Sequence, residues 1–167
     1  MKRLLVFCIL VCALVVEVWA AGAAPANFSG TWVLDKTKSE GLSGMMAGAD
    51  VTMVVTQDAK QLTSETTITG GQREVPPQKA TYNLDGSETT AEMTGRMPGK
   101  ATMKAKWMGD NVLELSSVQN VNVQGNDVTI TRMDHWELAE GGKVLKVNRK
   151  SESPRGAQES KLVFNKK

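Results

Sequence analysis

From residue 30 onward, apolar and polar side chains alternate with period two along most of the chain, and no convincing amphipathic helix appears. Neighbouring side chains on a strand point to opposite faces, so this alternation predicts sheet. The first run is Gly30-Thr31-Trp32-Val33-Leu34, reached through the flexible pair Ser29-Gly30. Further strands are predicted at residues 52–57, 62–68, 80–84, 89–93, 101–107, 112–117, 128–138, 144–149 and 161–164. β-Branched residues, which suit a pleated surface, enrich several of these runs. Glycine, proline and Asp-Gly signals separate them, among them Asp58-Ala59-Lys60, Gly70-Gly71, Pro76-Pro77 and the loop around Pro154 and Gly156. The stretch 36–50 is small and polar, with Gly41, Gly44 and Gly48, and reads as a loop or one short helix near residues 42–46.

About ten short strands in sequence order predict an all-β fold, an antiparallel up-and-down meander. The meander is expected to form a closed or nearly closed barrel, with a sandwich as the other way to bury one face. Closure removes exposed strand edges. Three hairpins are legible. Asp85-Gly86 predicts a tight turn between residues 80–84 and 89–93. A three-residue loop, Gly109-Asp110-Asn111, pairs Trp107 with Leu113 and Ala105 with Leu115. A one-residue slip would send every side chain to the wrong face, so the apolar pattern favours that loop. The third hairpin turns near Gly141-Gly142. A two-residue turn there sets Leu138 opposite Leu145, Trp136 opposite Val147 and Asp134 opposite Arg149. A shifted turn sets Arg132 opposite Arg149 and makes an anion site.

The first 23 residues have another character. Lys2 and Arg3 precede an apolar run from residue 4 to 16, and small residues follow at Ala20 and Ala23. This layout is that of a secretory signal peptide, too short to span a bilayer comfortably. Residues 1–23 are therefore expected to be removed, residues 24–167 to form one barrel domain, and the product to be exported, periplasmic or extracellular. Both cysteines, Cys8 and Cys12, lie in the leader, so the mature domain folds without disulfides. Removing Lys2, Arg3 and Glu17 leaves a net charge of about +1. Neither nucleic acid nor a membrane surface is an expected partner at that balance.

The pattern Phe28-x-Gly30-Thr31-Trp32-x-Leu34 resembles the opening strand of the calycins, the superfamily of lipocalins and fatty-acid-binding proteins. The later Trp107-x-Gly109 and Trp136-x-Leu138 runs are similar to those of small secreted bacterial lipocalin-like proteins. The resemblance implies a ligand-binding barrel with Gly30 and Trp32 as structural anchors and Trp32 plugging the closed end. The departures are specific. The last strand, Lys161-Leu162-Val163-Phe164-Asn165, lacks the Arg-x-Tyr that holds a carboxylate in fatty-acid-binding proteins, and the two-helix lid is shrunken or missing at residues 36–50.

Candidate chemistry concentrates on residues 128–138. Arg132, Asp134 and Trp136 share one strand face, and Arg149 reaches that face from the partner strand in either register. With Trp107 they are the candidate ligand-binding residues, suited to a small anionic or amphipathic molecule. Asp134 can serve only one of the two arginines well, which leaves the other for a ligand or water. The bland reading of Asp134 and Arg149 is a structural ion pair that fixes register. His135, the only histidine, points away from Asp134 and forms no acid–base pair with it. One histidine and no mature cysteine give no zinc site. Most of the mature methionines, among them Met45-Met46, Met93, Met97, Met103 and Met108, are expected core filler. No nucleophile elbow or phosphate loop occurs, so neither an enzyme nor a cofactor is expected. The expected function is an exported barrel for a small amphipathic or hydrophobic ligand. The alternative is a filled-core barrel acting as a structural or protein-interaction module.

Overall fold

The computed structural model describes residues 25–43, 45–71, 75–93, 98–123 and 125–167. The expected leader, residues 1–23, lies outside them. Ten antiparallel strands form one sheet. They are β1 (Gly30–Leu34), β2 (Asp50–Gln57), β3 (Gln61–Thr69), β4 (Gln78–Asn83) and β5 (Thr89–Met93). The second half of the chain adds β6 (Gly99–Trp107), β7 (Val112–Val123), β8 (Asn126–Ala139), β9 (Val144–Ser153) and β10 (Gly156–Lys166). The order across the sheet is β4-β3-β2-β1-β10-β9-β8-β7-β6-β5. Every ladder but one joins sequence neighbours, and β1 pairs with β10, joining the two ends of the chain. The sheet curls into a nearly closed barrel whose inner face carries the core.

The Asp85-Gly86 hairpin is a correction. β4 and β5 are the two margins of the sheet and share no ladder. Asp85 accepts from the Ser87 backbone N–H and hydroxyl, and Asn83 Nδ2 donates to Ser87 Oγ. These bonds extend the connection to residues 84–88, beyond a two-residue turn, and the strands splay. A bond from the Thr89 hydroxyl to the Thr81 carbonyl spans the two margins. The other two hairpins adopt the predicted registers, with Trp107 opposite Leu113 and Asp134 opposite Arg149. The shifted alternative, Arg132 opposite Arg149, does not occur; Arg132 sits opposite Ser117 and Ser151. The short helix is one turn, α1 (Met45–Gly48).

The segment before β1 crosses the closed end. Ala26 N–H donates to the Asp110 carbonyl at 2.8 Å. Gln57 clamps it from β2, accepting from Phe28 N–H and donating to the Ala26 carbonyl, each at 2.9 Å. Phe28 and Trp32 are fully buried, and Trp32 Nε1 donates to the Phe28 carbonyl at 2.9 Å. The Lys166 ammonium lies 5.2 Å from the Trp32 ring, within cation–π range. Its stem explains Gly30: a Cβ there would stand 2.5 Å from Lys166 Cε, and φ is +147°. Gly30 and Trp32, the residues of the opening motif, thus pack against Lys166 and Phe28 at this end of the barrel.

Candidate functional site

On β8 the even-numbered side chains face inward. Asp134 and Trp136 are buried, and Arg132 is half-buried. Leu113 and Val147 flank Trp136 from the neighbouring strands. Trp136 meets the Phe28 ring edge-on at 5.8 Å, and Trp107 stacks on Phe28 at 6.2 Å. The two candidate tryptophans therefore meet on one phenylalanine, as the aromatic floor of the barrel. The core continues through Leu62, Leu115, Leu145, Leu162 and Phe164.

Above this floor the interior becomes polar. Arg149 grips Asp134 with two bonds, Nε to Oδ1 at 2.8 Å and Nη2 to Oδ2 at 2.7 Å. Such forked pairs are strong and geometrically specific. The third nitrogen, Nη1, lies 3.9 Å from Met46 Sδ on α1. That contact ties the helical turn to the ion pair. Asp134 is thereby committed to Arg149. Among the described residues Arg132 has no salt-bridge partner and no protein acceptor for its guanidinium. Burial, and then the Arg149 charge, push the Arg132 pKa below its ordinary value, against the opposing pull of Asp134 and Tyr82. An arginine nonetheless stays charged in a protein. For Arg149, burial pulls the pKa down, but the hydrogen bonds and charge of Asp134 outweigh it, and the net direction is up.

Tyr82 on β4 completes the cluster. It lies opposite Leu62, on the inward face. Burial pushes its hydroxyl up to about 12, with the Asp134 charge adding to the shift and the two arginines opposing it. At neutral pH it is a neutral donor and acceptor among three charges.

The candidate residues thus fall into two groups, Trp107 and Trp136 in the floor and Arg132, Asp134 and Arg149 in the polar layer. Sequence reasoning missed Tyr82, Met46, Phe28 as floor, and Gln57. Tyr82, the only tyrosine, alternates with inward Ala80 and could have been found on that ground. Nothing local marks Met46 as a partner of Arg149, which lies 103 residues away. His135 faces outward, its Nε2 2.9 Å from Glu114 Oε2 across the strands. Met103 is core as expected, but Met108 is 51% exposed, because the loop at 109–111 carries it past the last inward position.

Two open depressions mark the outer surface. One, of about 440 Å³, includes Met133, His135, Lys150, Glu159 and Arg149. The other, of about 420 Å³, lies beside the β7–β8 turn at Gly99, Asn120 and Asp127. Neither includes Arg132 or Trp136. Among the described residues no group of three His, Cys, Asp or Glu side chains is placed to hold a metal ion. No helix among them is long and apolar enough to cross a membrane.

No protein-family model and no curated protein sequence matches the chain. Solved structures do. The SAHS (abundant heat soluble) protein of Ramazzottius varieornatus superposes with a TM-score of 0.53 at 15% identity, over 83% of this chain and 94% of that one. Zebrafish ileal bile acid-binding protein, in complex with cholic acid, superposes with a TM-score of 0.53 at 12% identity, over 84% of this chain and 98% of that one. At such identities the likeness is one of architecture. The chain shares the barrel architecture of these structures, an antiparallel meander of ten strands.

Proposed function

We propose that this chain is an exported barrel that binds a small amphipathic anion and catalyses no reaction. One observation carries the reading: an inward guanidinium, Arg132, that makes no salt bridge among the described residues, the Asp134 carboxylate being held by Arg149. A half-buried charge without an ion-pair partner bears part of the desolvation cost, and a ligand anion would offset it. Arg149 is held away from the ligand by Asp134 and fixes the polar layer, while Tyr82 offers a neutral hydroxyl beside it. The apolar part of the ligand would lie toward Trp136 and Trp107. A bile acid, the ligand named for the zebrafish neighbour, has this chemistry. Export rests on the leader pattern of residues 1–23.

Tryptophan fluorescence, titrated with cholate, oleate and the uncharged oleyl alcohol, tests the reading. Both anions should shift the emission and the alcohol should bind more weakly. Arg132→Leu should raise the Kd for the anions by roughly tenfold to a hundredfold, as losing a charge-assisted bond requires. Equal behaviour of acid and alcohol would remove Arg132 from the site. The filled-core module remains the second reading, because neither surface depression opens on Arg132. Absence of any emission change with all three probes would favour it. Mass analysis of the secreted protein should find a chain beginning near Ala21 or Ala24; a retained Met1 would refute leader removal.

A further inference from the structure

Trp136 carries an unexplained group. The residue is 3% exposed, and its Nε1–H is the one buried side-chain nitrogen or oxygen among the described residues without a hydrogen-bond partner. An indole N–H can only donate, and a buried one ordinarily finds an acceptor. The surroundings show why this one does not. Backbone carbonyls on either side are engaged in ladders, since residue 136 is paired with Leu113 on β7 and with Val147 on β9. Asp134, the inward carboxylate two residues away, is held at both oxygens by Arg149. The other near neighbour is the Phe28 ring, an apolar surface. The donor therefore lies on the inner wall, between the polar layer and the aromatic floor, with the ladder carbonyls and the Asp134 carboxylate engaged elsewhere.

We propose that the ligand carries a neutral oxygen acceptor, a hydroxyl or a carbonyl, set within its apolar body, and that Trp136 Nε1–H donates to it. This rests on the binding reading above and narrows it. The two recognition points are four residues apart on β8, about 13 Å along the strand at 3.3 Å per residue. The anionic end meets Arg132 and the oxygen lies deeper. An oxygenated acid fits this spacing, and an unsubstituted alkyl acid leaves the indole unpaired. Nε1 is sealed from solvent, so the ligand must displace the side chains that cover it. A site built to bond an oxygen rejects the analogue that lacks it, because its own donor is then stranded.

Calorimetric titration with matched acids is the test. Cholate is compared with its analogue lacking hydroxyls, and ricinoleate with oleate, on wild type, Trp136→Phe and Arg132→Leu. Trp136→Phe keeps an aromatic ring and removes the donor together with part of the ring volume, a loss that both members of a pair share. Wild type should prefer the oxygenated member of at least one pair by about tenfold, near the upper end for one neutral hydrogen bond. Trp136→Phe should erase that preference, and Arg132→Leu should weaken both members alike. In wild type the Trp136 indole N–H resonance should move downfield with the oxygenated acid and stay with its partner, a readout independent of whether the variant folds. A preference that survives Trp136→Phe, or an unmoved resonance, would overturn the proposal while leaving Arg132-dependent binding in place. Failure of every acid to bind wild type would overturn both this and the binding reading.

Discussion

The two halves of the barrel interior are built on opposite principles. At the closed end, Phe28, Trp32, Trp107, Leu113 and Leu145 fill the space with apolar surface, and the segment that plugs it is stitched down by Gln57 and Asp110. In the upper half, three charges and a phenol share the wall. The first arrangement gains from every contact. The second bears desolvation of two guanidiniums with one carboxylate between them, and so works against stability. The floor holds the barrel together, and the polar layer gives up some of that stability to present a charge inward. If this division is real, substitutions below should lower stability without altering headgroup recognition, and substitutions above should separate the two properties.

The largest expected effect is at the plug. Trp32→Ala should cost about 3–5 kcal/mol in urea unfolding, the range for truncating a fully buried tryptophan. The Phe28 carbonyl would also lose its donor. A cost below about 1 kcal/mol would mean that the closed end does not carry the fold.

Next comes Asp134→Ala, which leaves Arg149 without its carboxylate and removes the one negative charge from the polar layer. Breaking a buried pair costs roughly 3–5 kcal/mol. The Arg149 side chain is 21% exposed, so water can recover part of that, and about 2–4 kcal/mol is expected. The double change Asp134→Leu with Arg149→Met should recover most of the loss, because apolar residues of similar volume often replace a buried pair at no cost. If the double variant is as unstable as Asp134→Ala, the pair contributes more than its charges require, and the polar layer is structural after all.

These two regions were unequally legible in the sequence. The floor and the β8–β9 register followed from alternation, because one slipped residue would have exposed Leu113, Trp136 and Leu145 together. The outer half of β7 did not, since Gln119, Asn120 and Asn122 have little strand preference and are held there by their ladder with β8. The β9–β10 hairpin, polar from residue 150 to 160 apart from Pro154, Gly156 and Ala157, was hidden for the same reason. Local turn chemistry misled at Asp85-Gly86, where side-chain bonds widen the connection. The arginine–carboxylate cluster was visible as a face on one strand, but the choice of Arg149 over Arg132 was not. That choice depends on which side chain reaches Asp134 across the ladder, a three-dimensional matter. Tyr82 and Met46 enter from β4 and α1, and no short-range pattern could bring them to the cluster.

A smaller effect sharpens the comparison. Arg132→Leu removes the uncompensated guanidinium and should leave stability within about 1 kcal/mol of wild type, with the sign toward greater stability. The same variant should lose anion binding as described above. Marked destabilisation of this variant, read as a fall in the urea midpoint, would mean that Arg132 has a structural partner and is not held in reserve for a ligand.

The smallest effect lies outside both halves, where the chain leaves β1. Asp35 accepts from the Thr37 hydroxyl at 2.6 Å, from Asn165 Nδ2 at 3.1 Å, and from the backbone N–H groups of Thr37 and Lys38. The Thr37 hydroxyl bond, then the Asn165 bond, lower its pKa from 3.8 to about 2. The folded value lies below the ordinary one, so the ionised carboxylate favours the folded state. That contribution is fully present above about pH 4 and fades as the pH falls toward 2. Asp35→Asn keeps an acceptor oxygen but no titrating charge. The gap between wild-type and variant urea midpoints should therefore be constant from pH 7 to 5 and shrink between pH 4 and 2. Taking the difference removes the titration of other carboxylates, such as Asp58 and Asp85, whose pKa values are also lowered by turn hydrogen bonds. A gap that stays constant down to pH 2 would show that the carboxylate is no better held in the folded chain than in the unfolded one.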